Sequence, residues 1–102
     1  MGKNSAIKSL GRCIGNVVMH KLLLLHTNKP ESKHHLNAEV VEYSADALEK
    51  AQEFNWTKED KNQIELKASK RIERLKEYYP DVKFNEEEAK KIILETMNEL
   101  LI

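Results

Sequence analysis

The sequence predicts an all-α fold, an up-down antiparallel four-helix bundle. Three observations carry that expectation. Apolar side chains recur at every third or fourth position in four separate segments, glycine (3) and proline (2) are scarce, and the connections between segments are short. Scarce breakers allow long helices, and short connections make consecutive helices antiparallel neighbours. "DVKF" at 81–84 is too short to compete as a strand.

The first helix is expected over 5–26, where Ile7, Leu10, Ile14, Val17, Val18, Leu22 and Leu25 form the apolar stripe. Met19, Leu23 and Leu24 widen it, so this helix should be buried on more than one side. Pro30 fits only the first turn of a new helix, and Asn28 with Glu31 makes a capping box, which opens a second helix over 29–54. It carries Leu36, Val40, Tyr43, Ala47, Ala51 and Phe54 on its apolar face, and Asn55 can close it in a left-handed conformation. Thr57 and Asp60 cap a third helix over 58–79, with Ile64, Ala68, Ile72, Leu75 and Tyr79 inward and Pro80 as the stop. Asn85 and Glu88 form another capping box, and Phe84 can staple onto Ala89. The fourth helix, 86–101, follows through Ile92, Ile93, Met97 and Leu100. Its first-turn glutamates suit the helix dipole.

At 102 residues the chain is expected to be a single helical domain, with one core and no room for two. Seventeen basic residues balance seventeen acidic ones, so any attraction to nucleic acid or an anionic membrane must come from local patches. The charge is unevenly laid out. Six basic residues stand against one acidic over 1–35 and one against five over 36–56; the counts are seven against five over 57–79 and three against six over 80–102. In a bundle ordered along the chain, each helix would therefore face neighbours of opposite sign. The lone Cys13 excludes an intrachain disulfide and a cysteine-rich zinc site, which suggests a cytoplasmic setting. "CIGNVVMHKLLLL" is too short and too interrupted to span a membrane, and Ala6 breaks the myristoylation pattern at "MGKNSA".

Three constellations are candidates for function. Gly11 and Gly15 are four apart on the first helix, with Val18 and Leu22 continuing their face. Such spacing lets backbones approach closely, either within the chain or between copies. With the apolar C-terminus Leu100, Leu101 and Ile102, it makes Gly11, Gly15, Val18, Leu22 and Leu101 the expected interface of a homo-oligomer or protein-binding surface. Protein contact is the first functional expectation.

The second constellation is a basic stripe, Lys67, Lys70, Arg71 and Arg74, with Tyr78 at its end. It suits a phosphate backbone with a base stacked on the ring, and nucleic-acid binding is the alternative function. Glu39, Glu42, Asp46, Glu49 and Glu53 line the corresponding flank of the second helix, so the two stripes can instead neutralise one another.

The third is the histidine cluster. All four histidines lie between His20 and His35. Folding back at Thr27 and Asn28 sets His20 level with His35, and Glu39 one turn on completes a two-histidine, one-carboxylate set of the kind that holds a metal. Ordinary surface histidines fit the same positions, with His26 and His34 facing solvent. The paired Glu-x-x-His signature of di-iron bundles is missing, Cys13 has no base at useful spacing, and no phosphate loop or triad exists. No cofactor is expected, and an enzyme is the least supported class.

Overall fold

Helix one is the axis of the molecule. The computed structural model describes residues 2–27, 29–80 and 82–101, and in it α1 (Lys3–His26), α2 (Pro30–Ala51), α3 (Lys58–Leu75) and α4 (Glu86–Leu101) run alternately up and down. The fold is the four-helix bundle that the periodicity predicts. Leu10, Ile14, Val17, Val18, Met19 and Leu22 of α1 have no exposed surface, because all three other helices pack on this one. Leu25, expected on the same face, is 66% exposed.

The order of helices around the bundle differs from the order along the chain. Among the described residues α2 and α3 share no extensive contact; α1 lies between them and packs closely on both. Lys3 meets Asp60, Gly11 meets Lys67 and Gly15 meets Arg71, so residue numbers rise together and α1 runs parallel to α3. The glycines are the cause. A Cβ on Gly11 would lie 2.4 Å from Lys67 Cβ, and one on Gly15 would lie 2.6 Å from Arg71 Cβ. Only hydrogen at both positions allows this separation.

Helix ends follow local hydrogen bonding. Thr57 Oγ1 accepts from the Asp60 N–H and the Asp60 carboxylate accepts from the Thr57 N–H, a complete capping box. At α4 only half of the expected box forms. Asn85 Oδ1 accepts from the Glu88 N–H at 2.8 Å, but the Glu88 carboxylate turns to His26 on α1. α2 ends at Ala51 rather than at 54, without the left-handed residue expected at Asn55, since no described non-glycine residue has positive φ. Trp56 closes it instead, donating from Nε1 to the Ala51 carbonyl at 2.8 Å and packing on Phe54. The third helix ends at Leu75 and tightens into a 3-10 turn, Lys76–Tyr78. The Asn28 cap lies outside the described residues; Thr27 Oγ1 accepts from the Lys29 N–H at the same turn.

Lys3 pairs with Asp60 at 2.6 Å and its ammonium also stands over the Trp56 ring, tying the start of α1 to the start of α3. Hydrogen bonds from Lys3 and then from the Thr57 N–H hold the Asp60 carboxyl below its ordinary value of 3.8. A carboxylate with a depressed folded pKa stabilises fully above the unfolded value, and that contribution is lost as pH falls through the folded one. Asp60→Asn is therefore expected to lower the melting temperature at neutral pH. The gap from the parent should close on acidification below about pH 4. A gap that is the same across that range would contradict the assignment.

Candidate functional site: a basic groove between two parallel helices

Close approach of α1 and α3 places their flanking side chains along a common groove of about 500 Å³. Its walls are Ser5, Lys8, Ser9 and Arg12 from α1, and Lys67, Lys70, Arg71 and Arg74 from α3. Six of these eight residues are cationic and none is acidic. Among the described residues none of the six is in an ion pair. All three arginines of the chain, Arg12, Arg71 and Arg74, are here.

The expectation that the basic stripe of the third helix meets the acidic stripe of the second does not hold, because α1 separates those helices. The cations of α3 lie beside those of α1, so like charges are gathered and not neutralised. Their separation is kept by long side chains that reach into water. Glu73, the nearest acid along α3 to Arg74, pairs with Lys76 at 3.7 Å.

Arg71 is the one of the six with a side-chain hydrogen bond among the described residues. Its Cβ and Cγ press on Gly15, and its Nε donates to Asn16 Oδ1 at 3.1 Å. One side of the guanidinium is thus fixed by the protein, which leaves the terminal nitrogens to grip an oxyanion in two-point fashion. Gly11 seats Lys67 in the same way. The glycine pair and the basic stripe, separate features in the sequence, form one structure.

The expected self-association surface is used up inside the chain. Gly11, Gly15, Val18 and Leu22 are all buried, the glycines against α3 and the two larger residues in the core, so they offer nothing to a second copy. The Leu101 side chain and Ile102 lie outside the described part of the chain. Large apolar residues that remain exposed, such as Leu25, Val41, Leu48, Leu66 and Leu94, are scattered over the four helices.

The histidine set does come together. His20 Nε2 lies 2.5 Å from one oxygen of Glu39 and His35 Nε2 lies 2.5 Å from the other. His20 Nδ1 meanwhile donates to the Asn16 carbonyl at 2.8 Å, and its ring packs on Tyr43 at 5.0 Å. Both ring nitrogens of His20 therefore have a partner within the chain, and both oxygens of Glu39 are taken by the two rings. No group of three His, Cys, Asp or Glu among the described residues is arranged to hold a metal ion. His20, His35 and Glu39 act here as a clasp between α1 and α2. His26, expected to face solvent, is half-buried and forms a similar clasp to Glu88 of α4.

Burial pushes the Cys13 thiol up, which keeps it protonated and suits inert packing. A second groove, about 980 Å³, runs between α3 and α4; it mixes apolar Leu66, Phe84 and Ile93 with Glu65, Glu73 and Glu86. No helix among the described residues is long and apolar enough to cross a membrane. Comparison with known proteins gives no matching family model, no similar curated protein and no similar solved structure.

Proposed function

We propose that the α1–α3 groove binds the phosphate backbone of a nucleic acid. The observation that supports this reading is the groove's composition: six cations with no ion pair among the described residues, two serine hydroxyls and no carboxylate in the lining, with every arginine of the chain among them. A neutral chain has no general need for such a concentration, and like charges held together repel one another. A polyanion offsets that repulsion and releases its counterions on binding. Lysine, arginine and serine are the side chains that ordinarily contact phosphate oxygens.

The dimensions suit an extended polyanion. From Lys67 to Arg74 the α3 row is about 10 Å long at 1.5 Å per residue, the axial length of about three phosphates of one strand. On the parallel helix Arg12 lies beside the start of that row and Lys8 extends the line of cations by about a turn. Self-association, the first expectation from sequence, has less support, because Gly11, Gly15, Val18 and Leu22 are buried within the chain.

Binding of a fluorescent oligonucleotide, titrated with salt, tests the proposal. With most of the six cations on phosphates, log affinity should fall against log salt with a slope of about −4 to −5 on a duplex and about −3 to −4 on a single strand. Arg74→Gln is expected to make that slope shallower by about one. Absence of binding at about 50 mM salt, or equally tight binding of polyglutamate, would overturn the nucleic-acid reading.

A further inference from the structure

The 3-10 turn that follows α3 carries two tyrosines with opposite fates. Tyr79 packs against the core, whereas Tyr78 is 73% exposed, more than any other large apolar side chain of the described chain. The fold therefore makes no use of the Tyr78 ring. Its position relates it to the groove instead. Tyr78 lies seven positions beyond Arg71, about two turns, so it returns to the side of the helix that Arg71 occupies. It stands about 7 Å beyond Arg74 along the axis, the next step of a chain laid along the cationic row.

Resting on the nucleic-acid reading of that groove, we infer that its ligand is single-stranded and that an unpaired base stacks on Tyr78. A groove of cations that follows the backbone, ending in an exposed aromatic ring, is the combination that suits unpaired bases. Every base has a π-face, and only an unstacked base can offer it. A duplex keeps those faces within its own stack and could use the arginines but not the tyrosine. Tyr78 is thus the specificity-determining residue and the six cations supply the affinity.

The experiment compares three probes on the full chain: a short oligothymidylate, an abasic deoxyribose-phosphate strand of equal length, and a duplex of that length. The strand with bases should bind more tightly than either of the others. Tyr78→Ala should weaken it about 5- to 150-fold while leaving the abasic strand and the duplex unchanged, and Tyr78→Trp should bind it at least as well as the parent. Tyr78 makes no core contact, so a general loss of structure does not explain a selective loss. Unchanged oligothymidylate binding by Tyr78→Ala, or duplex bound as tightly as the strand, overturns the stacking role while salt-sensitive binding stays intact. Failure of the parent protein to bind all three probes overturns the nucleic-acid reading itself.

Discussion

Replacing Arg12 and Arg74 together by glutamate is expected to lower affinity for an oligonucleotide at least about a hundredfold at low salt. Each change removes one phosphate contact and places an anion beside the cations that remain. Both side chains are exposed and neither is in an ion pair among the described residues, so the fold should be kept. Lys29→Glu with Lys33→Glu is the matched control. These residues are exposed at the start of α2, away from the groove, and the change in net charge is the same. If the control weakened binding as much as the arginine pair, the effect would belong to overall charge and not to the groove. Circular dichroism and melting temperature check that both proteins remain folded.

The largest expected loss of stability comes from Gly15→Val. A Cβ there would meet Arg71 Cβ at 2.6 Å, Arg71 Cγ at 2.7 Å and the Ala68 carbonyl oxygen at 3.1 Å. Two of these atoms belong to or adjoin the α3 backbone, so they move only if the helix does. Valine adds two further methyl groups at the same point. Overpacking of this kind should cost about 3 kcal/mol or more, a large share of the roughly 5–15 kcal/mol that stabilises a domain of this size. Gly15→Ala separates sterics from helix preference: alanine favours a helix by about 1 kcal/mol over glycine, yet the variant should still gain nothing in stability. Gly2, where a Cβ would meet nothing within 4 Å, serves as the control position. Urea unfolding reads all three. A Gly15→Val protein as stable as the parent would mean that α1 and α3 are further apart than described.

Periodicity made the helices legible, because each stripe of apolar residues is a property of one segment and needs no knowledge of its neighbours. Thr57 with Asp60 and Pro30 marked their helix starts for the same reason. Neighbour order was not legible. A preference for antiparallel pairing of consecutive helices would put α2 beside α3, but the two glycines let α3 come closer to α1 than any longer side chain permits, and α1 then fills the space between. The sequence marked Gly11 and Gly15 as a place of close approach without naming what approaches.

The same limit applied to the site. Lys67, Lys70, Arg71 and Arg74 were visible as a stripe because they share one helix. Lys8 and Arg12, with Ser5 and Ser9, were missed, since their role depends on the helix set alongside. Their four-residue spacings and the excess of basic residues over 1–35 were the available signals. The histidine cluster shows the reverse. Hairpin geometry set His20 level with His35 and Glu39 one turn on, whereas the pairing of both rings with that single carboxylate, and of His20 with the Asn16 carbonyl, is visible only in the folded chain.

The parallel contact of α1 with α3 is the feature on which the groove depends, and nuclear Overhauser spectroscopy measures it directly. Cross-peaks from the Gly11 Hα protons to the Lys67 side chain, and from the Gly15 Hα protons to that of Arg71, are the expected result. Cross-peaks joining Lys67 or Arg71 to Glu42 or Glu49 of α2, with none to the glycines, would place α3 beside the acidic helix and contradict the groove.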